Sequence, residues 1–326
     1  MVIQKLKSTN RIILSGTPVQ NNTYDLYSQF TFLNPGFLGS RDFFKTEFAQ
    51  PIDGKGDKEK ALQLRRMVYP FMLRRTKGQV ATDLPDKTEM VLWCSMEKEQ
   101  RQIYDRYKDH YRQLLLKKID EEGIAKAGIY VLEGLLRLRQ ICDHPALLKD
   151  ENINVNSSVK TEELMREIQE NTSDHKLLVF SQFTEMLAIV RTTLMNAGIK
   201  FSYLDGSTPA SQRKDQVINF QENETIKVFL ISLKAGGVGL NLTAADYVYL
   251  IDPWWNPAAE QQAIDRTHRI GQTKKIFAYK MICKDSIEEK ILLLQEKKKL
   301  LASELVSEDT GFVKKLTRDD IDYLFS

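Results

Sequence analysis

Short apolar runs alternate along the chain with longer segments of helical periodicity. The runs are rich in Val, Ile and Leu and lack strict polar alternation, which is typical of strands buried on both faces. They are Arg11–Leu14, Met90–Cys94, Lys176–Phe180, Phe201–Leu204, Val228–Ile231, Tyr247–Ile251 and Ile276–Met281. Helical patterns such as Phe183–Ala197 and Pro209–Phe220 separate them. This alternation predicts an α/β fold with a parallel sheet and helices on both sides.

Some segments break this rhythm. Lys98–Leu148 shows only helical periodicity, which predicts a helical insertion within the second of two α/β domains. Arg11–Leu14 stands almost alone, and a lone strand cannot bury both faces, so we expect it to belong to a sheet whose other strands lie elsewhere. Polar composition predicts a surface loop over Asp150–Val159 and an exposed connection over Gln50–Lys60. Ser286–Leu305 is predicted to be a long charged helix.

Composition and charge narrow the cellular context and the partners. The 326 residues exceed the size of one typical core and predict about two domains. A net charge of +3 is weak evidence for a nucleic-acid partner, so any DNA contact must come from locally clustered groups. Cys94, Cys142 and Cys283 lie far apart without a CxxC pair, which indicates a reducing compartment, cytoplasmic or nuclear. Neither a membrane span nor a secretion signal is evident, so we expect no membrane partner.

Polar or glycine-rich turns follow most of the apolar runs. They are Ser15–Pro18, Ser181-Gln182, Asp205–Thr208, Ser232–Asn241 and Asp252–Asn256. In open parallel sheets, ligands bind at the carboxyl ends of the strands, so the set predicts a site along that edge, although each member alone is typical of a turn. The glycines of Ala235–Gly239 would let the backbone approach a ligand. Their spacing is not GxGxxG, and a tight strand-to-helix turn is the alternative.

Three polar residues follow in a predicted helix, Pro257–Ile270. Gln262, Arg266 and Arg269 are spaced i, i+4, i+7 and should share one face. A solvated helix face is the usual fate of such arginines. Two arginines about one turn apart also suit a planar, bidentate grip on phosphate. An arginine placed on a transferring phosphoryl group contributes about 10³–10⁵ in rate.

These patterns combine into a family resemblance that covers nearly the whole chain. Phe229–Gln272 closely resembles helicase motifs V and VI of the Swi2/Snf2 family, and Arg11–Pro35 resembles motif III and the segment after it. Four further segments resemble other sequence blocks of the family and occur in the family's order. They are Phe71–Lys77 (FMLRRTK), Arg139–Pro145 (RQICDHP), Lys176–Phe183 (KLLVFSQF) and Leu204–Thr208 (LDGST). Together these blocks are far more specific than any single motif. The chain is identified as a member of this family of double-stranded DNA motors.

The resemblance implies two RecA-like lobes with ATP in the cleft between them. It implies that Arg266 and Arg269 act as arginine fingers on ATP held by the first lobe, with Gln262 positioning them. The cleft would also include Gly237, Gly239 and Asn241. The blocks that face the DNA backbone would contribute Ser181, Gln182, Asp205, Gly206, Ser207 and Lys234. Thr17 would couple DNA contact to the nucleotide site.

The resemblance also implies how the chain is divided. Residues 1–86 would be the tail of lobe 1, with part of its helical protrusion in Gly36–Tyr69. Residues 87–285 would be RecA-like lobe 2, with the helical insertion at about 98–148. Residues 286–326 would form a brace helix and tail. The expected architecture is therefore a lobe 2 sheet with an incomplete piece of lobe 1.

Two motifs that hold ATP and Mg²⁺ in this family are not found in the sequence. No GxxxxGK[ST] occurs, and the one string similar to an acidic Mg²⁺ box, Asp120–Glu122, lies in a charged helical region. Arginine fingers act only on a nucleotide that a phosphate-binding loop and Mg²⁺ ligands hold in place. We expect the front half of lobe 1 to supply both, from a separate polypeptide or a continuation of the chain. Alone, this chain is predicted to show no ATPase activity.

Other interpretations stay open at this point. The chain could be a non-catalytic module that binds DNA or complements a separately encoded front half. An RNA helicase of the same superfamily is disfavoured by the LDGST block, the RIGQ ending and the helical insertion. Trp254-Trp255 is more typical of a buried anchor than of base stacking, and His268 of a structural role. Cys142–His144 lacks a second half-site, so no metal is predicted.

Overall fold

The chain forms two compact units, each with its own hydrophobic core. The computed structural model describes residues 8–14, 23–54, 56–73, 75, 77–81, 83–150, 153, 155, 157–233, 235, 240–253, 257–301 and 317–326. The first unit holds the described residues from 8 to 81 together with 300 and 301, and the second holds those from 83 to 299 together with 317–326.

The described secondary structure of the first unit is helical. Its elements are α1 (Thr23–Leu33), α2 (Arg41–Phe44), a π-helical segment (Lys45–Gly54), α3 (Lys58–Val68), a 3₁₀ turn (Tyr69–Phe71) and α4 (Lys77–Val80). The core combines aliphatic side chains with aromatic rings, and Phe30, Phe44 and Phe48 are almost fully buried in it. Helices this short are marginal in isolation, so the burial of these rings stabilises the unit.

Arg11–Leu14 is not a strand, contrary to prediction. Ile12 and Leu14 are 80% and 94% exposed. The described part of the first unit contains no strand that could pair with this segment. An extended backbone needs ladder partners for its N–H and C=O groups, and none is offered here.

Gln50–Lys60 is more structured than the exposed connection that its composition predicts. Ile52 is buried in the core. Asp57 caps α3, and its Oδ1 accepts the N–H groups of Glu59 and Lys60 at 3.0 Å each. Asp57 therefore serves a helix start rather than a solvated loop.

The second unit is built on one parallel sheet. Its strands are β1 (Lys87–Cys94), β2 (Leu177–Ser181), β3 (Phe201–Leu204), β4 (Val228–Ser232), β5 (Tyr247–Leu250) and β6 (Ile276–Cys283). They lie in the order β1-β6-β5-β2-β4-β3, and every neighbouring pair is parallel. Because β2 and β4 are buried along their whole length, their apolar runs show no polar alternation. The predicted α/β fold with a parallel sheet is confirmed.

Helices cover both faces of the sheet. The helices described outside the first unit's 8–81 stretch are α5 (Lys98–Glu122), α6 (Ile124–Asp143), α7 (Val159–Asn171), α8 (Thr184–Asn196), α9 (Ala210–Glu222), α10 (Pro257–Ile264), α11 (Ile287–Leu301) and α12 (Arg318–Phe325). On one face, Phe229 packs in a cluster with Phe220 of α9 and Ile264 of α10. On the other face, the Tyr249 hydroxyl donates to Glu167 of α7 at 2.7 Å. None of the described helices combines the length and apolarity needed to cross a bilayer.

Parallel pairing separates the two ends of the strands. All carboxyl ends lie at one edge of the sheet, so the chain that leaves β5 must return to the opposite edge before it can begin β6. α10 makes this return, and the Gln272 side chain that follows it donates to the carbonyl of Ala245, just before β5. The segment after α10 therefore lies toward the amino ends of the strands.

The helical stretch Lys98–Leu148 lies between β1 and β2. α5 and α6 meet at Gly123, whose φ of +78° suits glycine. The C-terminal helix α12 begins with a capping box of Thr317 and Asp320. Ile321, Leu324 and Phe325 of this helix are buried, and the Phe325 ring lies against Gly134 of α6. The predicted helix Ser286–Leu305 is observed as α11 as far as Leu301, and residues 302–305 lie outside the described ranges.

Gly134→Ala should loosen the contact between α6 and α12. A Cβ at Gly134 would lie 2.9 Å from the Phe325 ring and 3.0 Å from the Tyr111 ring. We expect the free energy of unfolding, measured by urea titration, to fall by about 1–3 kcal/mol. Gly128→Ala lies in the same helix with no atom within 4 Å of the added Cβ, and this control should raise it by about 0.5–1 kcal/mol. Equal stabilisation by both substitutions would contradict this packing.

Candidate functional site

The turn after β2 is held by hydrogen bonds from two directions. The Ser181 Oγ is buried and accepts the Phe183 N–H at 3.0 Å. The Gln182 N–H donates to both carboxylate oxygens of Asp252, at 2.9 and 3.2 Å. The buried Gln182 Nε2 has no acceptor among the described residues. The backbone of this turn is therefore well anchored, while one side-chain donor is left for another acceptor.

The turn after β3 is organised by the Asp205 carboxylate. Its Oδ1 accepts the N–H groups of Ser207 and Thr208 at 2.8 and 3.1 Å, and the Ser207 hydroxyl at 2.6 Å. Burial tends to raise the pKa of Asp205, but hydrogen bonds from Ser207 and Tyr203 outweigh it, so the pKa is lowered. The carboxylate thus faces its own turn, and Gly206 and Ser207 form the exposed part.

Arg213 of α9 links this turn to the loop after β4, a role that was not predicted from the sequence. Its guanidinium donates to the carbonyls of Thr208 at 2.9 Å, Asp205 at 3.2 Å and Ala235 at 3.4 Å. Main-chain carbonyls from two strand ends therefore converge on one side chain. The sequence signal for this role is a basic residue in the first turn of the helix that follows a strand-end turn.

Part of the predicted site lies outside the described residues, namely Thr17, Lys234, Gly237 and Gly239, together with Trp254-Trp255. Asn241 is described and is exposed. Next to it, the Leu242 N–H donates to the Arg266 carbonyl at 3.0 Å. The structure thus brings the end of the glycine-rich loop together with the segment after α10.

α10 ends at Ile264 rather than at the predicted Ile270. Beyond it the hydrogen bonds tighten to three-residue steps, from Arg266 N–H to Ala263 O at 3.2 Å and from Thr267 N–H to Ile264 O at 3.1 Å. The Thr267 hydroxyl also donates to the Ile264 carbonyl, at 2.7 Å. The hydrogen bonds thus leave the four-residue pattern of an α-helix, and α10 ends here.

The prediction that Gln262, Arg266 and Arg269 share one helix face is wrong, because the helix ends before the arginines. Gln262 is exposed on α10, whereas Arg266 is buried in the turn that follows. Arg269 is half-buried, and its Nε donates to the Asp265 carbonyl at 3.1 Å. The three side chains therefore meet different surroundings.

Arg266 is a buried cation with unused donors. Arg266 is 3% exposed, and its Nε and Nη1 have no acceptor in the described part of the chain. Burial, and after it the charge of Arg269, lowers the pKa of Arg266 to about 10, so it stays protonated at neutral pH. A protonated guanidinium with free donors suits the anionic oxygens of a phosphate group. These residues therefore fit a phosphate chain as ligand.

The turn that carries the arginines is fixed by its neighbours. The Gln272 Nε2 donates to the carbonyls of Thr243, Ala245 and Thr267 at 3.1, 2.9 and 3.2 Å. The His268 Nε2 lies 2.9 Å from the Pro85 carbonyl. This turn lies toward the amino ends of the strands, whereas the turns after β2 and β3 lie at the carboxyl ends. The candidate residues thus lie in two groups, one at each end of the strands, rather than along a single edge of the sheet.

Two family models match the chain. Residues 1–147 match the SNF2-related domain, and residues 159–271 match the helicase conserved C-terminal domain. A solved structure of the Sulfolobus solfataricus SWI2/SNF2 ATPase core in complex with dsDNA is 36% identical, with a TM-score of 0.62. That match covers 99% of this chain and 68% of the solved chain.

Curated relatives are longer than this chain. A Bacillus subtilis protein named as an ATP-dependent helicase/translocase, YwqA, is 37% identical over 99% of this chain and 35% of its own length. The TATA-binding protein-associated factor MOT1 of Saccharomyces cerevisiae is 32% identical over 95% of this chain and 19% of its own length. This chain thus spans about a third of YwqA and about a fifth of MOT1. From its motifs, its sheet and these matches, the chain belongs to the SWI2/SNF2 family of ATP-dependent helicases and translocases.

Proposed function

We propose that this chain is the C-terminal part of an ATP-dependent double-stranded DNA translocase that remodels protein–DNA complexes. It supplies arginine fingers and DNA-backbone contacts, and a partner or longer chain supplies the phosphate-binding loop. The observation that carries the proposal is the buried Arg266 guanidinium, two of whose donors lack acceptors in the described residues. Such a group costs about 1–3 kcal/mol or more. A protein keeps such a group where a ligand binds it, because functional sites are where buried polar groups are left without partners in the protein itself.

The arginines act on the nucleotide in this proposal. ATP, when bound, supplies the phosphoryl group whose transfer drives the motor. Arg266 and Arg269 would stabilise the charge that develops on that group. Gln262 would position them from α10. The residues proposed to border the nucleotide are Asn241, next to the segment bonded to Arg266, and Gly237 and Gly239, which are outside the described ranges.

The phosphate-binding loop and the Mg²⁺ ligands are assigned to the front half of lobe 1. The printed sequence holds neither motif. The relatives are about three times as long as this chain or longer, which leaves room for both. On this basis the chain alone should not hydrolyse ATP.

The DNA backbone is proposed to lie along the carboxyl edge of the sheet. Gly206 and Ser207 are exposed there, and Asp205 shapes their turn. Ser181 and Gln182 form the neighbouring turn, where Gln182 keeps an unpaired donor among the described residues. Thr17 and Lys234 stay predictions, since both lie outside the described residues. Contacts of this kind read phosphates rather than bases, so binding should be insensitive to sequence.

The lobe arrangement is also a proposal. The first unit would be the end of lobe 1, and the second would be lobe 2 with α5 and α6 as its helical insertion. The start of the second unit at Asp83 supports a boundary near residue 86. α11 would be the brace, and α12 belongs to the second unit rather than to a separate tail.

Two other functions deserve a direct test. A non-catalytic module that only binds DNA would share the carboxyl-edge contacts but leave the arginines without a role. An RNA helicase would bind duplex RNA at least as well as duplex DNA. Competition between the two duplexes decides the second alternative, and the complementation experiment below decides the first.

Gly206→Asp should weaken binding to duplex DNA. The residue is exposed, and a Cβ there meets no atom within 4 Å, so the change adds charge without a clash. We expect a loss of about fivefold at low salt, from roughly 1 kcal/mol for a unit charge near a phosphate in water. The affinity of both proteins should fall steeply as salt rises. Ser173→Asp, at an exposed turn before β2, adds the same charge at the opposite edge and should change affinity little. Equal losses in both variants would contradict a carboxyl-edge contact.

ATPase activity should appear only on complementation. The chain alone should show background turnover, with or without duplex DNA. Mixing it with a polypeptide that carries the matching phosphate-binding lobe should give DNA-stimulated turnover, and Arg269→Ala should reduce this by about 10³-fold or more. DNA-stimulated turnover by the purified chain alone would contradict the proposal, and no restoration would favour the binding-only module.

Arg266→Met should stabilise the isolated chain. The substitution keeps much of the volume and removes a buried charge with two donors that lack acceptors in the described residues. We expect the free energy of unfolding to rise by about 1–3 kcal/mol in urea titration. Arg269→Met, at a half-buried site whose Nε is hydrogen-bonded, is the control and should not stabilise. A destabilised Arg266→Met would mean that this arginine serves the fold rather than a ligand.

A further inference from the structure

A fully buried lysine joins three parts of the second unit. The Lys160 Nζ, in the first turn of α7, donates to Asp143 Oδ1 at 2.9 Å, Glu288 Oε1 at 2.7 Å and the Ile251 carbonyl at 2.7 Å. All three ammonium hydrogens are therefore used. These bonds hold three segments to one nitrogen atom, namely the end of α6, the start of α11 and the end of β5.

Asp252, the residue after Ile251, connects this cluster to the turn after β2. Asp252 is fully buried, and both its carboxylate oxygens accept the Gln182 N–H. Arg139 of α6 donates to the carbonyl of the next residue, Pro253, at 2.6 Å. A continuous set of polar contacts thus runs from the helical insertion to the Ser181-Gln182 turn.

The charges of this cluster are nearly balanced. Asp143, Asp252 and Glu288 face the two cations Lys160 and Arg139. Burial raises the pKa of Asp143 well above its ordinary range, even though Lys160 opposes it, and the Asp143 Oδ2 has no partner among the described residues. One proton held on Asp143 would make the cluster neutral. A neutral cluster is the form in which such groups can be buried without a large penalty.

A metal does not explain the cluster. The thiols of Cys142 and Cys283 and a Glu288 carboxylate oxygen lie within 4.8 Å of one another. The Glu288 Oε1 already accepts from Lys160, and its Oε2 accepts the Cys283 N–H at 3.0 Å. The carboxylate is thus committed to an ammonium group and a backbone donor, which leaves it poorly placed as a ligand.

Stability is a weak reason to bury these ions, because apolar residues of similar volume often serve at least as well. What the cluster provides is a fixed position for a strand-end turn. We propose that Asp252 is a positioning residue, which orients the Ser181-Gln182 turn for its DNA contact and ties that turn to the helical insertion through Lys160 and Arg139. This inference rests on the proposed DNA contact of Ser181 and Gln182.

Asp252→Asn tests the proposal against a closely matched control, Asp246→Asn. Asp246 is buried at the other end of β5, and its Oδ1 accepts the Lys176 N–H just before β2 at 3.2 Å. Each substitution therefore removes a buried charge that holds a backbone N–H at one end of β2. We expect Asp252→Asn to weaken duplex DNA binding by this 326-residue chain by about fivefold. Asp246→Asn should leave that affinity unchanged even if it costs as much stability.

The pH dependence separates positioning from a general loss of structure. Burial raises the pKa of Asp252 to about 6, although Arg139, hydrogen bonds from Ser181 and Gln182, and Lys160 oppose the rise. Asn resembles the protonated acid, so wild type should become like Asp252→Asn as the pH falls. The ratio of their DNA affinities should be about fivefold above pH 7 and approach one below pH 6. Asp246 also pairs with His175 and Lys274, so Asp246→Asn is compared with wild type only at pH 7.5.

Hydrogen exchange of the Gln182 amide gives a readout that needs no DNA. It should accelerate in Asp252→Asn and not in Asp246→Asn. Unchanged Gln182 exchange, or equal DNA affinity of wild type and Asp252→Asn at pH 7.5, would overturn the inference. If wild type fails to bind duplex DNA at low salt while Gln182 exchange responds as expected, then the proposed DNA contact fails, and with it the role of Asp252 in that contact.

Discussion

Parallel pairing of six strands is the constraint on which the rest of the second unit depends. Each connection must carry the chain back across the sheet before the next strand can begin. Strand-end turns such as Ser181-Gln182 and Asp205–Thr208 therefore gather at one edge. The turn with Arg266 and Arg269 follows a return helix and lies toward the other edge. The motor proposed for this chain would need two such separated groups, one for the nucleotide and one for DNA, and the parallel topology supplies two.

Buried polar groups divide into two kinds in this unit. Those that position turns have their partners within the chain, as Lys160 has three acceptors and Gln272 reaches three carbonyls. Arg266 is of the other kind, because its burial is not accompanied by acceptors for Nε and Nη1 among the described residues. Satisfied groups stabilise one backbone arrangement, whereas an unsatisfied cation is better explained by something that binds it.

Much of the fold could be read along the chain, because strand signals here are local. The runs at Phe201–Leu204 and Val228–Ile231 are strands at nearly the predicted bounds. The run at Arg11–Leu14 has similar composition and is no strand, because strand formation needs a partner that composition cannot supply. The helix predicted to reach Ile270 stops at Ile264, where the backbone hydrogen bonds tighten to three-residue steps. Spacing rules do not include that change of hydrogen-bond pattern.

The sequence by itself determined the family, the parallel α/β class and the residue types of the candidate sites, since these depend on local order and motif spacing. Only the tertiary structure decided which of those residues are buried, paired or left with free donors. It placed the Asp252 carboxylate against the Gln182 N–H and Arg213 across two strand ends, and it ended α10 before the arginines. Such outcomes depend on contacts between segments far apart in the chain, and on whether each polar group finds a partner once water is excluded.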